Sequence, residues 1–92
     1  MREIDYSRQF ERDYKREIKS PNNKDLDSRL EELVDFLCAD TLLPRKFRDH
    51  ALKGEYLGTR ECHVKSDLLL IYYKSDKTLL TLVRLGSHSE LF

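Results

Sequence analysis

Apolar residues change their spacing near the middle of this chain, and the change limits it to a helical half followed by a sheet-forming half. Tyr6, Phe10, Tyr14 and Ile18 recur every four positions through a strongly charged segment, the repeat of one face of an α-helix. Ser7 stands where an N-cap belongs, and Pro21-Asn22-Asn23 stops the helix because proline cannot continue its hydrogen-bond ladder. A second helix follows from about Lys24, with Leu26, Leu30, Leu33, Val34 and Leu37 on one face. The short turn between the two makes them an antiparallel hairpin.

After Thr59 the pattern becomes that of strands. Residues 59–65, 68–74 and 78–85 are short leucine-rich or β-branched runs separated by Lys65-Ser66-Asp67 and Ser75-Asp76-Lys77, which predicts a three-strand antiparallel meander. Residues 2–5 supply one more short strand. The expected fold is therefore α+β, a single domain over residues 1–92 with an N-terminal helical hairpin packed on a small, mostly antiparallel sheet of about four strands. Strand alternation puts Glu61, His63 and Lys65 on one face and Arg60, Cys62 and Val64 on the other. Between the halves, residues 40–58 hold Pro44, Gly54 and Gly58 without a sustained period and read as a long ordered loop, with a basic cluster at Arg45, Lys46, Arg48 and Lys53. Loops of that length in small domains carry function more often than not.

Charge divides along the same boundary. Residues 1–40 have 8 Lys and Arg against 11 Asp and Glu, and residues 41–92 have 9 against 6, so a neutral chain carries a mildly basic second half able to meet a polyanion. No apolar run reaches membrane-spanning length, and the acidic residues near Met1 do not fit a signal peptide. Cys38 and Cys62 form no CxxC pair, which points to reduced thiols in a cytoplasmic protein with no membrane partner.

The second half also holds all three histidines, His50, His63 and His88. Taken singly, a histidine is more often a surface or satisfied residue than a catalyst. Their spacings of 13 and 25 residues match no short zinc motif, so no metal and no cofactor is expected. Cys62 and His63, as neighbours in a strand, face opposite ways and cannot act as a nucleophile pair. Gly54, Gly58 and Gly86 form no phosphate-binding loop. Metal-free RNA cleavage fits the ingredients better. It needs a base for the 2′-hydroxyl, an acid for the leaving 5′-oxygen and a cation for the charge on the phosphorane. Two histidines and Arg84 can supply these, against the plain reading of Arg84 as a surface salt bridge or a stem packed over the sheet.

Three segments carry more than composition does: Asp-His-Ala-Leu-Lys-Gly (49–54), Arg-Glu-Cys-His-Val-Lys-Ser-Asp-Leu-Leu-Leu-Ile-Tyr (60–72) and Arg-Leu-Gly-Ser-His-Ser-Glu-Leu-Phe (84–92). In order and separation they resemble the YafQ-type branch of the RelE/ParE toxin superfamily, and the resemblance extends over the whole chain. It implies a RelE-like toxin of a type II toxin-antitoxin system, an endoribonuclease that cuts mRNA in the ribosomal A site and is silenced by a cognate antitoxin of the DinJ/RelB kind. It implies catalytic roles for His50, His63, Asp67 and His88, and substrate handling by Arg84 and Phe92. Lys53 and Arg60, cations within the first two motifs, are expected to bind substrate with them. Leu68 stands where some relatives carry a tryptophan, so base stacking from that position is lost. Glu61 is expected to orient a neighbour or make a surface pair. The alternative from another functional class is a noncatalytic ParE-like toxin that binds a topoisomerase, for which the histidine set is not needed.

Overall fold

The structure is a computed structural model that describes residues 1–76 and 78–92. Strand β1 (Glu3–Tyr6) leads through Ser7 into helix α1 (Arg8–Ile18), a 3-10 turn at Pro21–Asn23 and helix α2 (Leu26–Cys38). Strand β2 (His50–Ala51) follows between 3-10 turns at Arg45–Phe47 and Gly54–Tyr56. Strands β3 (Arg60–Lys65), β4 (Leu68–Ser75) and β5 (Leu79–Gly86) form the meander, and a last turn of helix, α3 (His88–Leu91), closes the chain. The turn expected at Ser75-Asp76-Lys77 includes Lys77, which lies outside the described residues.

Among the described residues the sheet has five strands, in the order β1-β5-β4-β3-β2. The fifth, β2, lies inside the segment read as a loop. Two residues are too few for any alternation to appear, so only the pairing of His50 with Glu61 and Ala51 with Arg60 defines it. β1 lies parallel to β5 and covers Leu79 to Leu82, while every other pair is antiparallel.

The hairpin helices bury their stripes on one sheet face. Phe10, Leu26, Leu33 and Leu37 meet Cys62, Leu70, Leu80, Leu82 and Leu85 in the main core, each leucine contributing roughly 1.5–3 kcal/mol relative to exposure. Both cysteines are free and buried, and burial pushes the Cys62 thiol upward. That suits an inert core residue.

Because β1 stops at Leu82, the far half of β5 would be an open edge, and α1 occupies it. Ser7 caps α1 by accepting from the Phe10 amide at 2.9 Å and donates its hydroxyl to the Val83 carbonyl at 2.7 Å. Asp13, only 1% exposed, takes the place of a strand partner. Its Oδ2 accepts from the Leu85 amide at 3.0 Å and from Arg84 Nε at 2.7 Å, and its Oδ1 from Arg16 Nη1 and Arg84 Nη2. Burial alone would raise the Asp13 carboxyl, but the Arg84 and Leu85 hydrogen bonds and the two guanidinium charges outweigh it and hold it below the usual carboxylate range.

Two irregularities re-aim the meander. The register of β3 on β4 slips between His63 and Lys65, and that of β4 on β5 slips between Ile71 and Tyr72. These are β-bulges, which leave an extra residue unpaired and turn the strand. The first overturns the expected grouping of Lys65 with Glu61 and His63. Lys65 pairs with the core residue Leu68 and donates to the Asn22 carbonyl on the helix side.

Candidate active site

The face opposite the hairpin carries Glu61, His63 and Arg84. Two rows of residues cross it: Glu61 pairs with Ile71 and Ile71 with Arg84, and one step along, His63 pairs with Leu69 and Leu69 with Gly86. Leu69 and Ile71 form an apolar floor, sealed by Leu91 and by Leu52, Tyr56 and Val83. This face is a second small core rather than the charged surface that alternation suggested. The polar groups stand along both sides of that floor, two strand spacings or about 10 Å apart.

On the first side Glu61 is the organiser. It is buried, at 5% exposure, which corrects the reading of it as half of a surface pair. Its Oε1 lies 3.5 Å from His50 Nε2 and 3.9 Å from His63 Nε2, beyond ordinary hydrogen-bond length but close enough to pair with whichever ring takes up a proton. His50 reaches this position from β2. Its Nδ1 sits 2.8 Å from the Arg48 carbonyl oxygen, which can only accept, so Nδ1 carries a hydrogen and a neutral ring presents bare Nε2 to the site.

On the second side, α3 is fixed by a capping box. Ser87 Oγ accepts from the Glu90 amide, and Glu90 Oε1 accepts from the Ser87 amide at 2.8 Å, satisfying two donors that a helix start leaves unpaired. Gly86 just before it allows close packing. A Cβ there would come within 3.0 Å of Arg16 Nη2 and 3.2 Å of Leu91 Cδ2. His88 is thereby set at the rim, its backbone amide 3.5 Å from Asp67 Oδ1 and its ring 5.0 Å from Phe92. Phe92 in turn meets Tyr56 edge-on at 5.7 Å, and Tyr56 Oη accepts from Arg84 Nη1 at 3.3 Å.

Arg84 is thus held from behind by Asp13 and from the side by Tyr56. The guanidinium has five N–H groups; with three engaged, one hydrogen on each Nη remains for an anion. Sequence reasoning missed both of these partners, Asp13 and Tyr56. Asp13 lies within the arc defined by Phe10 and Tyr14, so a carboxylate on an apolar stripe was the available signal. Tyr56 was marked only by being an aromatic between Gly54 and Gly58.

Of the expected substrate-binding cations, Arg60 is committed elsewhere. It points away from His63, its Nε and Nη2 clasping Asp49 at 3.0 to 3.2 Å, and Asp49 also accepts from Tyr72 Oη at 2.6 Å. Lys53 is exposed on the loop beyond β2. Cys62 faces the opposite core, as alternation required. Among the described residues no three His, Cys, Asp or Glu side chains gather as a metal-holding group, and no helix is long and apolar enough to cross a membrane.

A family model described as the bacterial toxin of type II toxin-antitoxin system, YafQ, matches residues 2–92. The mRNA interferase toxin YafQ of Escherichia coli strain K12 is 40% identical over 92 residues, 99% of this chain and 96% of that protein. Among solved structures, a metal-bound toxin from Helicobacter pylori is 46% identical with a TM-score of 0.87, each chain covering 100% of the other. The E. coli DinJ-YafQ complex matches at 37% identity and a TM-score of 0.78, covering 100% of this chain and 99% of that one.

Proposed function

Because the chain belongs to the YafQ family of bacterial type II toxins, we propose that it is an endoribonuclease that cuts mRNA by acid-base catalysis without a metal and so inhibits translation. The observation that carries this reading is the pair of facing groups. Glu61 stands between His50 and His63 on one side of the Leu69-Ile71 floor, and Asp67, His88 and Arg84 stand on the other. A phosphodiester passing above the side chains that seal this floor lies between the two groups, within reach of histidine, carboxylate and guanidinium.

In the reaction, a base removes the 2′-hydroxyl proton, the 2′-oxygen attacks phosphorus, and the 5′-oxygen leaves as it receives a proton from the acid. The products are a 2′,3′-cyclic phosphate and a 5′-hydroxyl. Asp67 and His88 carry the protons, while His50 and His63 hold or share the 2′-hydroxyl side. The two uncommitted Arg84 hydrogens meet the charge that grows on the phosphorane. Phe92, 53% exposed beside His88, offers its ring to a nucleobase, and Lys53 meets the backbone.

Net charge of zero supports little affinity for free RNA, because binding grows with the number of phosphates neutralised. Substrate mRNA is accordingly met in the ribosomal A site, in the cytoplasm. The E. coli relative is solved with the antitoxin DinJ, and a cognate antitoxin of that kind covers the basic half of this chain. Substitution of Arg45, Lys46 and Arg48 should therefore weaken and desensitise to salt its binding of the antitoxin.

The test is cleavage of mRNA on programmed ribosomes, with the product ends identified and the toxin pretreated with a chelator. Cyclic phosphate ends at an undiminished rate are expected. Activity that disappears on chelation and returns with a divalent metal would overturn the mechanism. Glu61→Gln should lower kcat by roughly up to 10²-fold, the loss associated with about an ångström of misplacement, with KM and melting temperature little changed. An unaltered kcat would remove Glu61 from the account.

A further inference from the structure

At the sheet edge, between helix α2 and the face that carries His63, lies a groove of about 390 Å³ lined by Arg29 and Glu32 of α2 and by Lys46, Arg48, His63 and Lys65. We propose that Arg48 binds the phosphate adjacent to the one cleaved, where the RNA strand leaves the floor on the His63 side; this rests on the ribonuclease reading above.

Among the cations that line the groove, Arg48 is distinguished by what the others are already doing. Lys65 is held against the Asn22 carbonyl. Arg29 pairs with Asp25. Lys46 lies 3.7 Å from Glu32 and 5.0 Å over the Phe47 ring. Arg48 is exposed, and its guanidinium has no ion pair or hydrogen bond among the described residues. An uncommitted guanidinium can meet phosphate oxygens in bidentate fashion.

Its backbone is as constrained as its side chain is free. Arg48 has φ 49 and ψ 43 in the left-handed region, with its amide donating to the Arg45 carbonyl at 3.0 Å. Its own carbonyl receives His50 Nδ1 at 2.8 Å. The buried Phe47 anchors the turn from beneath. The same residue therefore sets the tautomer of His50 and roots a cation at a fixed backbone position two residues before it. Two residues of extended chain span at most about 7 Å, comparable to one step between successive phosphates of an extended strand. Arg48 and His63 also line the same groove, so a strand passing His63 is delivered to the guanidinium.

The experiment uses ribosomes programmed with synthetic mRNAs that carry a single uncharged methylphosphonate at one or other phosphate flanking the cleaved bond. Arg48→Asn removes the cation while keeping a residue that tolerates the left-handed backbone, and Arg48→Lys restores the charge. Arg48→Asn should lower kcat/KM about tenfold on unmodified mRNA, the size of one charge-assisted contact, and Arg48→Lys should recover part of it. One of the two methylphosphonates should cost the wild type a similar factor and cost Arg48→Asn nothing more. Additive losses at both flanking positions, or no loss in Arg48→Asn, would overturn the assignment while the ribonuclease reading stands. Wild-type protein that cuts none of the mRNAs would overturn both.

Discussion

Replacing His88 with alanine should lower mRNA cleavage by roughly 10²–10⁴-fold, the usual contribution of a positioned general acid or base, and should leave the fold intact. The imidazole is exposed and lies against the exposed ring of Phe92. What fixes α3 is the reciprocal bonding of Ser87 and Glu90 together with Leu91 in the second core, none of which the substitution removes. Surface substitutions away from such features shift stability by about 0.5 kcal/mol or less. Single-turnover cleavage and thermal melting on the same sample separate the two effects. A His88→Ala protein that melts normally and cuts at the wild-type rate would exclude the residue from catalysis.

Asp13→Ala should be the most destabilising single change at a polar residue, by about 3–5 kcal/mol, the cost of removing one partner from a buried ion pair. Against a total stability of about 5–15 kcal/mol for small domains, that threatens the fold. The substitution strands the Leu85 amide and the Arg84 guanidinium together. It therefore unpins β5 from α1 and loosens the cation proposed to face the substrate. The pH dependence has a definite sign. Asp13 lies below its ordinary value in the folded protein, so its contribution is complete above the unfolded carboxylate value of about 3.9 and is lost as pH falls through the folded one. Urea titrations at neutral and acidic pH should show wild type losing this increment on acidification and Asp13→Ala lacking it at both. Equal stability of the two proteins at neutral pH would contradict the clamp.

The clamp also shows why part of this site was legible in sequence and part was not. Periodicity carried the helical hairpin, the Ser7 cap and the three long strands, because each reports a face repeated over many residues. It could not report β2, where two residues pair with Arg60 and Glu61, nor the bulges beside His63 and Ile71, where one extra residue reverses the parity of the rest of the strand. Lys65 was misplaced for that reason alone. Burial of charge was the other blind spot. Asp13 looks like a surface carboxylate until Arg16 and Arg84 are seen around it, and Arg60 looked free until Asp49 was found against it. The histidines were found through their motifs; that Glu61 gathers two of them required the register.

The central claim is that a histidine-dependent cut in mRNA is what this toxin does to a cell. The most direct measurement is primer extension on a reporter mRNA in growing cells expressing wild type or His88→Ala from the same promoter. New 5′ ends within codons of the translated region are expected with wild type and should vanish, together with growth arrest, in the variant. Growth arrest that persists in His88→Ala without any new mRNA ends would contradict the claim and point to a toxin that acts by binding a topoisomerase instead.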